Sequence, residues 1–453
     1  METITKNKMG IKPVFPLLMS MSFPPMISMF VQALYNIVDS MFVARISEDA
    51  LTAVSLAFPL QNFIIAVAVG TGVGINSYIS RKLGEESFDD ANNAVTHGLI
   101  LAFISWIGFI LLSILAIKPF FNLFTNSENI FNLGCSYSYI VIIFSFGSLI
   151  HIAIEKVLQS TGEMLYPMML QIFGAAMNII LDPIMIFGLF GFPALGIKGA
   201  AIATVISQIS AMSLAVIILV LKKHHVKVKT NNFKFSFPLV KEIYTVGFPS
   251  ILMLSLDSIL VMGLNAILVN FSNLAVSLFG IYFKLQTFVF MPIKGLTQGA
   301  MPIMGYNYGA NNRQRLIITL KSSLIVSIII MILGNILFAV FPDKLLMLFN
   351  ASEEMLSLGT VALRVISISY IAASFNFIFP TLFQSIGNGL YSSVISLMRQ
   401  LIIILPISYI LSKSMGLMGV WISFPIAEII SAIISVLLFV RIYKREPIFK
   451  KSN

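Results

Sequence analysis

The sequence predicts an all-α polytopic membrane protein with about twelve transmembrane helices in two parallel six-helix repeats. Three observations predict this fold. The 453 residues are 58% hydrophobic and only 11% charged, whereas soluble domains carry about 25% charged residues. The apolar runs are long and continuous, which favours helices over the alternating strands of a membrane barrel. Finally, the two halves of the chain resemble each other.

The internal repeat consists of short matches at one offset along the chain. QSTGEMLY at 159–166 matches QSIGNGLY at 384–391, an offset of 225 residues. Three glycines recur at the same offset: Gly70, Gly74 and Gly84 match Gly295, Gly299 and Gly309. About six apolar runs fit in each half. An even number of helices keeps both halves in the same orientation, which indicates parallel repeats.

The strongly polar segment at 222–236, KKHHVKVKTNNFKFS, divides the chain near its middle. We therefore expect an N-lobe over 1–222, a basic linker over 223–237, and a C-lobe over 238–453 with a basic tail. Most lysine and arginine residues fall on the side of the membrane that holds both termini and the linker. This positive-inside bias predicts cytoplasmic termini for a multi-pass protein of the inner or plasma membrane.

The composition also argues against several functions. The net charge of +10 comes from basic residues at helix ends, which predicts contact with lipid headgroups and no nucleic-acid binding. A single cysteine, Cys135, excludes an internal disulfide and a cysteine-rich metal site. No ATPase motif, no metal-spaced histidine cluster and no set of nucleophile and base is present. We therefore expect a transporter without a cofactor, driven by an ion gradient, and not an enzyme.

The first apolar segment, residues 23–44, carries the strongest functional signal. Four of its polar residues are spaced i, i+3, i+4 and i+7 and form one helical stripe: Gln32, Tyr35, Asn36 and Asp39. A carboxylate at membrane depth costs about 2.5–3.5 kcal/mol and marks a functional site. Pro24 removes a backbone donor upstream and favours a bend in the same helix. An acid, a polar face and a hinge together predict an ion-driven transporter.

A second buried acid is expected in the fifth helix. Asn178 and Asp182 are four residues apart and share a face, and Pro183 frees a backbone carbonyl nearby. If Asp39 and Asp182 approach each other, one of them could hold a proton. Alternatively, the two carboxylates with amide and hydroxyl oxygens could form a cage for a sodium ion. The structural alternative is that both acids only bond backbone groups freed by the prolines.

The second half of the chain does not repeat Asp39 or Asp182. It has Asp257 in its first helix instead, and Lys284 and Lys294 in the next. These three residues are candidates for a second-lobe site, in which the lysines neutralise Asp257 or an anionic group of the substrate. Equally, Lys294 could extend to the membrane interface, with the other charges paired for structure alone.

Motifs along the whole chain match one known family. They are QxxYNxxD at 32–39, NxxxDP at 178–183, GAAxAT at 199–204, GYNYGA at 305–310 and RQ at 399–400. With them the chain resembles the MATE (multidrug and toxic compound extrusion) transporters, and most closely the bacterial MepA-like and DinF-like groups. The resemblance implies two six-helix lobes around a central cavity, alternating access, and export of lipophilic, often cationic compounds in exchange for protons or sodium.

The resemblance also implies roles for individual residues. The family's N-lobe cation site maps onto Asp39, Asn178, Asp182 and Thr204. Its hinge and cavity positions map onto Pro24, Gln32, Tyr35 and Asn36. Asp257 matches a carboxylate of a second-lobe site found in NorM-like members, but residues 373–376 provide no acid to complete that site.

One alternative function stays open from the sequence. A flippase for a lipid-linked precursor, or a carrier of another amphipathic metabolite, shares the broad architecture of this family. Such a protein needs basic residues facing the cavity, for which Lys284, Lys294 and Arg364 are candidates. Either transporter could function as a monomer, because the two lobes form a complete unit. The sequence does not name the substrate or choose between proton and sodium.

Overall fold

The computed structural model describes residues 7–222, 224–229, 231 and 233–449. Within those residues the chain is helical, without a strand. Ten of the described helices are long and apolar enough to cross a membrane, and two bent helix pairs bring the number of spans to twelve. The predicted all-α polytopic fold is confirmed, and the protein is a multi-pass membrane protein. Lys223, Thr230 and Asn232 of the predicted linker, and residues 450–453 of the predicted tail, lie outside the described residues.

The helices follow one another with short connections, except between α8 and α9, where residues 222–236 intervene. In the first half they are α1 (Lys8–Ile11), α2 (Val14–Ala44), α3 (Glu48–Gly84), α4 (Phe88–Phe124), α5 (Glu128–Ile143), α6 (Phe146–Ser160), α7 (Leu165–Phe187) and α8 (Ile197–Leu221). In the second half they are α9 (Phe237–Leu268), α10 (Asn273–Gly309), α11 (Arg313–Val340), α12 (Pro342–Met347), α13 (Glu353–Ser367), α14 (Tyr370–Ser385), α15 (Gly389–Leu397), a π-helical segment (Met398–Ile403), α16 (Ile404–Met415) and α17 (Leu417–Arg445).

Two spans that the apolar pattern predicts as single helices are broken. The chain bends by 45° between α5 and α6, and by 47° between α13 and α14. Serine hydroxyls satisfy backbone carbonyls at the second break: Ser367 Oγ donates to the Arg364 oxygen at 3.0 Å, and Ser369 Oγ donates to the Ile366 oxygen at 2.6 Å. Neither break contains a proline. Hydropathy alone therefore could not locate them.

The chain divides into two compact units. Among the described residues, those within 27–251 form the N-unit, and the C-unit joins residues 7–26 to residues 252–449. Each has a hydrophobic core of its own, built around Phe121 and Leu149 in the N-unit and around Tyr282 and Trp421 in the C-unit. The unit boundaries fall within α2 and α9. The lobe boundaries drawn from the sequence repeat are a different division, and they stay a prediction.

Repeated glycines allow close helix packing in both units. In the N-unit, a Cβ on Gly74 would lie 3.0 Å from the carbonyl carbon of Ile243 and 3.1 Å from the Gly247 nitrogen, both in α9. In the C-unit, a Cβ on Gly299 would lie 2.7 Å from the Cα of Ser22 in α2. Since these neighbours are backbone atoms, they cannot rotate aside. The helices approach this closely only because no side chain stands between them.

The segment after α8 is held against α4 by polar side chains. The Ser236 N–H donates to Nε2 of His97 at 2.8 Å, and the Lys229 N–H donates to Oγ1 of Thr96 at 2.9 Å. His97 is fully buried, and its Nδ1 lies 2.7 Å from the Asn93 carbonyl oxygen. Because Nε2 accepts a hydrogen bond, Nδ1 carries the ring hydrogen and donates it to Asn93. The linker is therefore docked on the protein and not merely solvated.

We predict that Gly74→Ala lowers the melting temperature of the detergent-solubilised protein, because the added methyl group overlaps the backbone of α9. Overpacking of this kind costs about 1–3 kcal/mol. Gly108→Ala is the matched control, because open space surrounds the position of its Cβ. Thermal labelling of the buried Cys135 with a thiol-reactive dye measures both variants. Equal melting temperatures would contradict the close packing.

We also predict that His97→Phe loosens the linker. Phenylalanine keeps the aromatic packing against Phe233 and Phe235 but cannot accept the hydrogen bond from Ser236. Amide exchange in peptides covering 233–236 should rise about two- to tenfold, as expected for a hydrogen bond that contributes about 0.5–1.5 kcal/mol. Hydrogen exchange with mass spectrometry tests this, with α8 as the internal reference. Unchanged exchange at Ser236 would show that His97 does not hold the linker.

Candidate functional site

Two acidic side chains from different helices meet inside the N-unit. Asp39 lies in α2 and Asp182 in α7, and their carboxyl groups lie within hydrogen-bonding reach of each other. Asp182 is fully buried, and Oδ1 of Asp39 is buried without a hydrogen-bond partner. Two carboxylates at this separation repel each other unless a proton or a cation lies between them. The arrangement is therefore suited to binding either a proton or a cation.

An amide and two hydroxyl groups surround this acid pair. When the Asn178 amide is oriented so that both of its atoms have partners, Nδ2 donates to Asp182 Oδ2 at 2.7 Å. In the same orientation, Oδ1 accepts from the Thr204 N–H at 3.2 Å. The side chains of Tyr35 and Thr204 are hydrogen-bonded to each other. Three helices thus contribute oxygen atoms around the acid pair.

Local sequence explains how α7 and α8 bring these groups together. Asn178 and Asp182 lie one turn apart on the buried face of α7. The chain leaves α7 at Gly188, which has a φ of 73° and so adopts a left-handed conformation that favours glycine. At the start of α8, a Cβ on Gly199 would lie 2.6 Å from the carbonyl carbon of Met185. The absence of a side chain there lets α8 pack closely on α7.

Two residues near the acid pair were not found from the sequence. Gln61 in α3 donates from Nε2 to the hydroxyl of Tyr137 in α5 at 2.9 Å. Tyr137 is buried and close enough to Asp39 and Asp182 to interact with their charges. A single glutamine or tyrosine within an apolar helix does not reveal which neighbouring helix it faces, so the sequence offered no specific signal.

The rest of the predicted polar stripe lies along α2. Gln32 donates from Nε2 to Asn36 Oδ1 at 3.1 Å, and Gln171 of α7 donates to the Gln32 oxygen. Gln171 was also missed, although it stands seven residues before Asn178 and therefore on the same face of α7. Pro24 is buried in the part of α2 that belongs to the C-unit, and α2 continues through it without a break.

The three residues predicted for a second-lobe site do not all lie together. Asp257 and Lys294 line one cavity of the C-unit, whereas Lys284 is exposed and lies outside that cavity. The Asp257 carboxylate accepts a hydrogen bond from Gln400 Nε2 at 2.7 Å. The Gln400 amide therefore holds the Asp257 carboxylate. Among the described residues, neither Lys284 nor Lys294 is seen to bond to it.

The described part of the chain contains no convergence of three His, Cys, Asp or Glu side chains that could hold a metal ion. The N-unit site provides two carboxyl groups together with amide and hydroxyl oxygens. Such oxygen ligands suit hard cations and not the soft metals that thiolates select. The same pair of carboxyl groups is equally able to hold a proton.

Comparison with known proteins identifies the family. The family model described as MatE matches residues 24–184 and 249–410, once in each half of the chain. The chain belongs to the MatE family. This membership confirms the MATE resemblance inferred from the motifs. It also confirms that the protein is a transporter and not an enzyme.

Similar proteins cover nearly the whole chain. The multidrug export protein MepA of Staphylococcus aureus (strain MSSA476) is 27% identical over 434 residues, which cover 94% of this chain and 93% of MepA. An FAD transporter of Shewanella oneidensis is 27% identical over 423 residues, which cover 93% of each chain. The relatives named for multidrug export support small-molecule efflux as the function of this MATE protein.

Solved structures are similar over the same length. A multidrug resistance MATE family transporter of the MOP superfamily, in an outward-facing conformation, has a TM-score of 0.92 and 27% identity, covering 98% of this chain and 99% of its own. A MOP superfamily transporter from Pyrococcus furiosus has a TM-score of 0.91 and 26% identity, covering 98% and 100%. The MATE structures have two repeated six-helix lobes, as predicted here.

We predict that Asp182→Leu destabilises the protein more than Asp182→Asn does. Leucine leaves the buried Asn178 amide without its acceptor, and an unsatisfied buried polar group costs about 1–3 kcal/mol. Asparagine keeps an oxygen at that position. Melting temperatures in detergent compare the two variants. If both variants have the melting temperature of the unmodified protein, Asn178 does not depend on Asp182 for a hydrogen-bond partner.

Proposed function

We propose that the protein is a secondary antiporter that exports lipophilic, often cationic compounds in exchange for protons or sodium by alternating access. The observation that carries this proposal is the contact between Asp39 and Asp182 inside membrane-spanning helices. Multidrug export in the MepA relatives supports the same substrate class. An unneutralised pair of acids at this depth is expensive. A role in cation coupling explains why the protein has this costly pair of acids.

Coupling requires that the cation bind one conformation better than another, because a ligand shifts an equilibrium only through differential affinity. Asp39 and Asp182 come from different helices, α2 and α7. Any movement of α2 relative to α7 changes the separation of the two carboxyl groups, and with it the affinity for a cation. Pro24 and Pro25 weaken the backbone bonding of α2 and so provide a hinge for such a movement.

The two candidate ions need different parts of the site. A proton needs only the two carboxyl groups, one of which then donates to the other. A sodium ion needs several oxygen ligands. Besides those of Asp39 and Asp182, side-chain oxygen atoms close to the acid pair belong to Asn178, Thr204 and Tyr35. Replacing Thr204 by valine would therefore weaken sodium coupling more than proton coupling.

The same proposal includes the arrangement in the cell. The basic residues at one set of helix ends support cytoplasmic termini and a cytoplasmic linker in the plasma membrane. The sequence repeat supports lobes over 1–222 and 238–453, which together form a complete transport unit in one chain. A monomer is therefore the proposed functional form.

A second candidate function is the transport of an amphipathic anion. Its support is the Shewanella relative named FAD transporter. A lipid-linked precursor with a pyrophosphate group falls in the same chemical class. Flavin and lipid-flipping assays in proteoliposomes separate these candidates from drug export.

We predict that ethidium efflux driven by an imposed gradient is lost in Asp39→Asn and in Asp182→Asn. Each substitution keeps the shape of the side chain but removes the charge that attracts a cation. Purified protein in proteoliposomes is tested with proton and sodium gradients imposed separately, so that the responding gradient names the ion. Asp90→Asn is the matched control, because Asp90 is an exposed acid in the first turn of α4.

Efflux that persists in both variants would refute coupling at Asp39 and Asp182. Efflux that is lost equally in the Asp90→Asn control would show that any loss of acidic charge impairs the protein. No drug movement in the unmodified protein under either gradient would favour the amphipathic anion as substrate.

A further inference from the structure

A polar cavity lies entirely within the C-unit. Its volume is about 100 Å³, it is partly open, and helices α9, α10, α14, α16 and α17 line it together with the π-helical segment. Part of its wall is aromatic, with five phenylalanine side chains. The remainder carries four charged groups: Asp257, Lys294, Arg399 and Glu428. A wall that is both aromatic and charged is typical of sites that bind small organic molecules.

The π-helical segment supplies two consecutive side chains to this cavity, Arg399 and Gln400. Single π turns within α-helical spans are rare and frequently occur at functional sites. Gln400 is only 4% exposed, yet its Oε1 has no hydrogen-bond partner. Its Nε2 is engaged by Asp257 at 2.7 Å. A buried amide oxygen on a cavity wall without a partner is a position for an N–H donor of a ligand.

Positive charge that could bind an anionic group is available elsewhere on the wall of this cavity. Arg399 Nη1 donates to Glu428 Oε1 at 3.1 Å, and Asn376 Nδ2 donates to Glu428 Oε2 at 2.6 Å. Both oxygens of Glu428 therefore have protein partners. Arginine has five N–H donors, and only one of those of Arg399 bonds to Glu428. The others, together with Lys294, can bind an anionic group.

The charges of the wall select the charge of the ligand. The two acidic side chains of the wall, Asp257 and Glu428, equal in number its two basic side chains, Lys294 and Arg399. A ligand with a single charge would leave one charge uncompensated within a bundle of membrane helices, which is costly. A zwitterion leaves the balance unchanged. Because a benzene molecule alone fills a cavity of about 150 Å³, a ligand of this partly open cavity of about 100 Å³ has no more than one ring, and part of that ligand lies outside the cavity.

We propose that this cavity binds a small zwitterion that carries one aromatic ring. Its ammonium group bonds to Gln400 Oε1 and Asp257, its carboxylate bonds to Arg399 and Lys294, and its ring lies among the phenylalanines. The proposal concerns a site separate from Asp39 and Asp182 and goes beyond the export function. It is tested by binding without any gradient, so that its failure and a failure of ion-coupled efflux are distinguishable.

Three probes with the same ring test the proposal: phenylalanine carries both charges, phenethylamine only the ammonium, and 3-phenylpropanoate only the carboxylate. Equilibrium dialysis against the full chain in lipid nanodiscs measures their affinities. Phenylalanine is expected to bind about tenfold or more tightly than either singly charged probe, because each lost group removes a charge-assisted hydrogen bond. Equal affinities for all three, no binding of phenylalanine, or preferred binding of either singly charged probe would overturn the proposal.

Two variants test which side of the cavity binds each charged end of the ligand. Lys294→Gln should reduce the preference for phenylalanine over phenethylamine, because it weakens recognition of the carboxylate. Asp257→Asn should reduce the preference over 3-phenylpropanoate, because it weakens recognition of the ammonium. A misfolded variant would lose all binding and would not change one preference alone. Lys284→Gln is the control, since Lys284 is an exposed lysine of α10 outside the cavity. Identical preferences in all three variants would refute the assigned orientation.

Discussion

A membrane interior offers no hydrogen-bonding partners, and this constraint governs the whole structure. The backbone stays helical across the spans because any other conformation would leave N–H and C=O groups unpaired. Where a helix is interrupted, nearby groups compensate, as Ser367 and Ser369 do at the break before α14. Other irregular points, Pro183 and the π-helical segment, lie beside polar clusters. Irregular backbone and functional side chains thus occur together.

The two polar clusters show how far the repeated halves have diverged. In the N-unit, Asp39 and Asp182 face each other, and one oxygen of Asp39 has no partner. In the C-unit, Gln400 holds Asp257, while Asn376 and Arg399 hold Glu428. The first arrangement needs a cation or a proton, and the second is already balanced. One helical scaffold therefore carries two different kinds of site, consistent with separate ion and ligand sites.

The sequence predicted what depends on single helices. Spacing along one helix placed Asn178 on the face of Asp182, and the cost of charge in a membrane singled out both acids. The sequence could not predict contacts that depend on which helices pack together and on how each helix is rotated about its own axis. The Gln61–Tyr137 bond and the support of Glu428 by Asn376 are of this kind. The breaks within two spans were also missed, because no proline marks them.

The division of the chain into units has a consequence for biosynthesis. Residues 7–26 are translated before the rest of the C-unit, in which they pack and where Ser22 lies against Gly299 of α10. At about 5–20 residues per second, the amino-terminal half of α2 waits about 15–55 s for that partner. The N-unit, in contrast, is complete once α9 reaches Ile251. This half of α2 is thus made long before its partner, and the nascent protein carries an apolar helix half without a packing partner until α10 has been translated.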